Sequence, residues 1–343
     1  MLQDIVKLQK KIIPELVELL EKRYLILRTI SYNQPVGRRV LANKVDLSER
    51  IVRTEINFLK NQGLIEINTP GMTVTEEGKY ILNSLKDFIH EVKGISKIEI
   101  EIKKILNIKE VIVVPGNVEE DKNLLQDLGK AASQYTKKII KSGDIVAITG
   151  GSTVKEVVDS FPKLQNLHDV LVVPARGGMG KKVETQANTL CATLAQKLNG
   201  SYKMLHIPEN INSELMKSLF SQSDIKEVFD LIRSANLLIY GIGRADKMVL
   251  KRGISDEKQK ELIALGAIGE AVGCYFDKNS NVVSISSAPG ISIKELSEAR
   301  EHIAVAGGKG KVEAIISALY NNKKAVLVTD EAAAEEIIKI MKH

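Results

Sequence analysis

Three stretches of this 343-residue sequence set glycine beside hydroxyl or cationic side chains directly after an apolar run. In the first, Thr149-Gly150-Gly151-Ser152-Thr153 follows residues 144–148 and opens a helical pattern. Glycines let a ligand come close to the backbone, and a helix N-terminus turns N–H groups and partial positive charge toward it. With the hydroxyls of Ser152 and Thr153 added, the chemistry is that of phosphate binding. The Gly-Lys-Ser/Thr signature of a Walker A loop is missing. Thr153 with Glu156 three residues later also reads as a capping box, in which case the glycines only make a turn.

In the second stretch, residues 170–174 run into Ala175-Arg176-Gly177-Gly178-Met179-Gly180 and the helix opening Glu184-Thr185-Gln186-Ala187-Asn188. An arginine beside flexible glycines can swing onto a phosphate. In the third, residues 303–306 run into Gly307-Gly308-Lys309-Gly310-Lys311 and another helix. The carboxyl ends of the strands of an open α/β sheet share one edge, and ligands bind there. Gly150, Gly151, Ser152, Thr153, Arg176, Gln186 and Lys311 are therefore expected in one crevice. Charge-assisted hydrogen bonds contribute roughly 1.5–3 kcal/mol each, so a few hold a bisphosphate without any chemistry.

Catalytic signals are thin. The five histidines share no motif, and no HExxH, GxSxG or metal-spaced cluster is present, so no catalytic residue and no metal are expected. Most of the histidines read as surface or helix-end residues. Glu270, just before an apolar run, can face the crevice and accept sugar hydroxyls; as a catalytic base it has no identifiable partner. Lys251-Arg252 reads either as a solvated pair or as a ligand clamp. Gly241-Ile242-Gly243-Arg244-Ala245-Asp246, read as a loop after a strand, has Asp246 where a dinucleotide fingerprint needs its third glycine. No nicotinamide or other cofactor is expected.

The elements that position these residues are short β-rich runs alternating with helical stretches beyond residue 110. The runs are 111–114, 144–149, 170–174, 236–240, 272–276, 282–286, 302–306 and 325–328. Such alternation predicts a doubly wound, Rossmann-like α/β fold with a mostly parallel sheet. Residues 272–276 and 282–286 read as a hairpin instead. Ile95, Ile98, Ile102 and Ile105 form a helical stripe, either pairing with a second copy or packing on its own domain.

Ahead of residue 90 the pattern is helical with one hairpin. Helical segments near 22–31, 37–44 and 48–61 are followed by Leu64-Ile65-Glu66-Ile67 and Met72-Thr73-Val74-Thr75 across Asn68-Thr69-Pro70-Gly71. This predicts a winged helix-turn-helix. In the third helix Val52, Ile56 and Leu59 share one face, while Arg50, Arg53, Thr54 and Asn57 share another. Ser48 is a good N-cap. Guanidinium, hydroxyl and amide groups on a helix face suit major-groove base edges and phosphates. Nine basic residues lie between Lys22 and Gly63 against Asp46, Glu49 and Glu55. That surplus of six equals the whole chain's +6. Concentrated in one unit, it marks phosphate contacts to duplex DNA. Expected DNA contacts are Arg38, Arg39, Ser48, Arg50, Arg53, Thr54 and Asn57. The division expected is 1–89 for DNA, 90–110 as helical linker and 111–343 for effector binding and oligomerisation.

Composition narrows the classes. Tryptophan is absent and aromatics make up 4% of residues, so stacking platforms for single-stranded nucleic acid are not expected. Cys191 and Cys274 cannot make a disulfide framework. No apolar run reaches the roughly 18 residues that span a bilayer, and residues 1–23 read as an amphipathic helix, not a signal peptide. A cytoplasmic protein without membrane contact is expected.

In combination several motifs resemble the SorC family of transcriptional regulators over nearly the full length. They are Val36-Gly37-Arg38-Arg39, Leu47-Ser48-Glu49-Arg50, Val52-Arg53-Thr54-Glu55 and Gly63-Leu64 near the N-terminus. Farther along are Val113-Val114-Pro115-Gly116, Thr149-Gly150-Gly151-Ser152-Thr153, Pro174-Ala175-Arg176-Gly177-Gly178, Glu184-Thr185-Gln186-Ala187-Asn188 and Ala304-Val305-Ala306-Gly307-Gly308. The resemblance implies a winged-helix domain on an effector domain related to phosphosugar isomerases and deaminases. It implies a homodimeric or homotetrameric repressor of a triose-phosphate glycolytic operon, induced by fructose 1,6-bisphosphate. It assigns ligand contacts to Ser152, Thr153, Arg176, Gln186, Arg252, Glu270 and Lys311. Lys309 and Lys251 stand as alternatives to Lys311 and Arg252. Two other readings are a sugar-phosphate isomerase or deaminase tethered to DNA, and a winged-helix scaffold that binds only protein.

Overall fold

The structure is a computed structural model that describes residues 11–177, 182–207, 219, 222–252, 254–286, 295 and 299–342, without the side chains of 86 and 87. The expected glycine run 178–180 and the first ten residues of the N-terminal helix lie outside the described residues. The chain divides into two compact units, Met1–Lys97 and Ile98–His343.

The first unit holds α1 (Pro14–Asn33), α2 (Arg38–Val45), α3 (Glu49–Asn61), β1 (Ile65–Asn68), β2 (Gly71–Val74) and α4 (Glu76–Val92). Ser48 caps α3 by accepting from the Ile51 amide, and Thr75 caps α4 by accepting from that of Gly78. Asp46 ends α2 in the left-handed region, φ 50°, which turns the chain sharply into α3. Ile26, Ile30, Leu41, Val52, Ile56 and Leu59 pack with Ile65, Met72 and Val74 of the antiparallel hairpin. A bridge between Val36 and Met72 ties the α1–α2 connection to that hairpin.

The cut between the units falls inside α5 (Ile95–Leu106). Ile95 and Ile102 of its apolar stripe are fully buried within the single chain. Pairing with a second copy is therefore not what covers them, and the own-chain reading holds for these two residues.

The second unit continues with β3 (Glu110–Val114), α6 (Leu124–Ile139), β4 (Ile145–Ile148), α7 (Ser152–Ser160), β5 (Leu171–Pro174), α8 (Ala187–Lys197) and β6 (Ser201–Tyr202). Then come α9 (Ser223–Arg233), β7 (Leu237–Arg244), α10 (Ala245–Lys251), α11 (Asp256–Ala264), β8 (Gly269–Ala271), β9 (Cys274–Phe276) and β10 (Val282–Ile285). It closes with β11 (Glu301–Val305), α12 (Val312–Leu319), β12 (Ala325–Asp330) and α13 (Glu331–Lys342). The strands β6-β5-β4-β7-β11-β12-β3 lie side by side and parallel. On one face Leu128, Ala132, Val154, Val158, Leu190 and Leu194 of α6, α7 and α8 pack on Ile148, Ile239, Val305 and Val328. The alternate strand residues Ala147, Leu238, Ala304 and Leu327 are buried too, and α9, α12 and α13 contact these strands. Both faces are thus covered, as parallel strands require.

Three sequence expectations change. Gly241–Arg244 is not a loop: β7 runs on through it and pairs antiparallel with β8 by Ile242↔Ala271 and Gly243↔Glu270. Glu270 does not precede a strand but lies within one, and residues 272–276 are not continuous strand, because Val272-Gly273 is the two-residue turn between β8 and β9. Both turn residues have positive φ, 48° and 76°, the geometry of a type I′ hairpin. His302 lies in the expected run 302–306 and is buried in β11 with Nδ1 3.3 Å from Asn322 Nδ2.

Candidate functional site

In the parallel sheet the chain leaves β4 toward β5 on one side, and leaves β7 toward β11 and β12 on the other. The crevice between the carboxyl ends of β4 and β7 is a topological switch point, where α/β sheets bind ligands. Its lining joins residues far apart in sequence: Gly150–Thr153, Arg176, Gly241–Arg244, Lys247, Lys251, Arg252, Glu270, Val272 and Lys311.

The β4 turn is built for backbone approach. Gly151 has φ 120°, and its amide donates to the Thr185 carbonyl at 2.9 Å. It is also the N-cap of α7, so Ser152 is the first helical residue and no side chain caps the helix. The Thr153–Glu156 capping box is therefore not formed. Gly150 packs against the Thr185 carbonyl and the Ala187 amide, where a side chain would not fit. Gln186 stands just ahead of α8; its neighbour Ala187 lines the crevice and Gln186 does not.

Arg176, just beyond β5, is buried, and its Nη1 donates to the Val272 carbonyl at 3.1 Å. Arg252 and Glu270 form a buried ion pair, Nη2 to Oε1 at 2.8 Å. The Gly273 amide donates to the same oxygen at 2.7 Å, and Arg252 Nη1 reaches Tyr275 Oη at 3.5 Å. After β11, Gly308 (φ 96°) donates its amide to Asp330 Oδ1 at 2.9 Å. Asp330 Oδ2 accepts the Val118 amide at 2.7 Å, so this carboxylate fixes the turn that carries Lys311. Lys311 lines the crevice, and exposed Lys309 does not. Burial, and after it the charge of Lys251, holds the Lys311 ammonium below its usual range.

Sequence reasoning missed two cations and left a third open. Arg244, Lys247 and Lys251 line the crevice beside Arg252. Their spacing of i, i+3, i+7 at a helix start was the available signal; reading 241–246 as a loop hid it. Arg244 forks onto Asp246 at 2.8 and 3.0 Å. Among the described residues the lining thus brings six cationic side chains together with one carboxylate, itself ion-paired. Among the described residues no His, Cys, Asp and Glu cluster could hold a metal, and Cys191 and Cys274 are buried thiols.

In the first unit Arg38, Arg39, Ser48, Arg50, Arg53, Thr54 and Asn57 are all exposed. Thr54 Oγ1 donates to the Arg50 carbonyl at 3.1 Å, which leaves its lone pairs outward. Arg39 pairs with Glu49 at 3.3 Å. The charge surplus is not all outward, however. Buried Glu55 takes Lys22 at 3.0 Å and Arg23 at 2.8 Å, and Arg23 also lies 3.5 Å over the Phe58 ring.

Comparison with known proteins gives two family matches along the chain. Residues 90–339 match the family described as "Putative sugar-binding domain", and residues 19–89 match "CggR N-terminal DNA binding domain". The chain is 37% identical over 338 residues to the central glycolytic genes regulator of Bacillus subtilis, covering 98% of this chain and 99% of that protein. A crystal structure titled "putative SorC family transcriptional regulator from Enterococcus faecalis" is 36% identical, with TM-score 0.66, and covers 71% of this chain and 99% of that one. The full-length sorbitol operon regulator SorC from Klebsiella pneumoniae is 20% identical, with TM-score 0.67 over 92% of this chain and 97% of its own, and shares the fold. The chain belongs to the SorC family of sugar-binding transcriptional regulators, within the group of the central glycolytic genes regulator.

Proposed function

We propose that the protein is a repressor of a glycolytic operon whose grip on operator DNA is set by a phosphorylated sugar, with fructose 1,6-bisphosphate the ligand. The convergence of six cationic side chains and the Gly150–Thr153 helix start on one crevice carries this reading. A neutral sugar has no use for that charge; a bisphosphate presents about four negative charges at neutral pH. Ser152 and Thr153 offer hydroxyls and amides to one phosphate, Arg176, Arg252 and Lys311 bring charge, and Glu270 accepts from the sugar. The name of the Bacillus subtilis relative supports the glycolytic assignment.

In the first unit we read α2 and α3 as a helix-turn-helix and the β1–β2 hairpin as its wing. Arg50, Arg53, Thr54 and Asn57 then face the major groove, with Arg38, Arg39 and Ser48 on the backbone. The units serve as DNA-binding and effector domains of a cytoplasmic homo-oligomer. The enzyme reading is disfavoured, since Glu270 already holds Arg252 and the Gly273 amide and is no free base. An electrophoretic mobility shift with the protein's own upstream region tests the proposal. Fructose 1,6-bisphosphate should weaken the complex while fructose leaves it unchanged; equal behaviour of the two would refute it.

A further inference from the structure

We propose that Gly273 is a positioning residue for both buried guanidinium groups of the crevice, acting on Arg176 through its missing side chain and on Arg252 through its amide. A Cβ at Gly273 would overlap the Arg176 guanidinium outright, meeting Nη1 and Cζ. The Arg176 fork therefore lies on bare backbone, held by the Val272 carbonyl at 3.1 Å. On the other side the Gly273 amide fixes Glu270 Oε1 at 2.7 Å, and that oxygen holds Arg252 Nη2 at 2.8 Å. The Gly273 carbonyl accepts the Ser286 amide at 2.7 Å, anchoring the turn to the end of β10. One residue's donor, acceptor and empty face thus set the spacing of the two guanidinium groups.

The turn's backbone fits this role. Val272 sits at φ 48°, costly for a β-branched residue, and such conformations persist only where surroundings over-determine them. Here the Arg176 bond to the Val272 carbonyl is one determinant. Glycine at 273 serves both the φ of 76° and the approach of Arg176, and the two demands are separable. Gly266 has nearly the same φ, 70°, but nothing within 4 Å of where its Cβ would stand. Gly266→Ala therefore carries the conformational penalty alone.

The inference rests on the crevice binding a phosphorylated ligand, and the experiment separates the two. Fructose 1,6-bisphosphate affinity is measured by calorimetry on the full chain and on Gly273→Ala, Gly266→Ala, Arg176→Ala and the Gly273→Ala/Arg176→Ala double variant. Gly273→Ala should bind roughly 10- to 100-fold more weakly, the equivalent of one or more charge-assisted hydrogen bonds. Gly266→Ala should bind as the parent does, and in the Arg176→Ala background Gly273→Ala should add less than half of its own logarithmic loss. Equal affinities of Gly273→Ala and Gly266→Ala, or full additivity with Arg176→Ala, would overturn the proposal while leaving the crevice reading intact. Absence of binding by the parent chain would overturn that reading, and the proposal with it. Melting temperatures decide the case in which Gly273→Ala does not fold: the Arg176→Ala background should then restore folding, and failure in both backgrounds counts against the proposal.

Discussion

Arg252 and Glu270 face each other across 2.8 Å in the crevice wall, with 2% and 6% of their side chains exposed. Removing one member of a buried pair strands the other's charge, at a cost of about 3–5 kcal/mol. Glu270→Ala should therefore lower the melting temperature of the ligand-free protein clearly. An anionic ligand can replace the lost partner, so sugar bisphosphate should raise the variant's melting temperature by more than it raises the parent's. Differential scanning fluorimetry with and without ligand reads both effects; an equal rise in the two proteins would speak against Arg252 as a ligand group.

Arg176 should separate ligand response from DNA binding. Arg176→Ala is expected to abolish the effect of fructose 1,6-bisphosphate on operator complexes and to leave the complexes themselves unchanged. Fluorescence anisotropy with labelled operator, titrated in the presence and absence of the sugar, measures both. Loss of DNA binding along with the response would contradict the division of roles.

Lys311 gives the site a pH signature. Its ammonium is depressed by burial first and by Lys251 second, and a bound phosphate favours the charged form. Below the depressed value the proton is present with or without ligand. Above it, binding must take up a proton, so affinity should fall as pH rises toward the ordinary lysine value of 10.5. Without ligand the sign reverses: in that same window the unfolded chain binds more protons, so folding stability contributed by this group rises with pH. Calorimetry in alkaline buffers of different ionisation heat should show proton uptake for the parent and for Lys309→Met, and less for Lys311→Met.

On the DNA side, Arg50→Ala and Arg53→Ala should each weaken operator binding. A variant that has lost a phosphate contact should reduce the slope of log affinity against log salt by about 1. One that has lost a base contact should instead relax discrimination by about 1–3 kcal/mol at one base pair. Ser48→Ala should cost about 1 kcal/mol of stability through the lost cap on the Ile51 amide. Binding at several salt concentrations, with urea melts alongside, distinguishes the three outcomes.

The parts of the fold most legible in the sequence were those where residue type meets a local demand. Glycines at 150 and 308 mark places where backbone approaches backbone or carboxylate, Gly151 marks a φ of 120°, and Ser48 marks a helix start. Arg176 and Lys311 were legible because they follow apolar runs that could only be strands. What stayed hidden depends on distant pairing. Gly269–Ala271 is three residues long and forms β8 only because β7 and β9 flank it. Arg244 and Lys247 reach the crevice because β7 continues beyond Gly241, which no local pattern announces. The charge count between Lys22 and Gly63 was sound as arithmetic, yet it could not show that Glu55 turns Lys22 and Arg23 inward.

β7 takes part in two sheets at once, parallel to β4 and β11 in its first half and antiparallel to β8 in its second. The chain length of this segment is therefore as constrained as its composition. A single residue inserted between Leu237 and Arg244 would invert the pleat of everything downstream, turning Arg244 and the start of α10 away from the ligand. Homologues that vary freely in their loops should align through this strand without gaps.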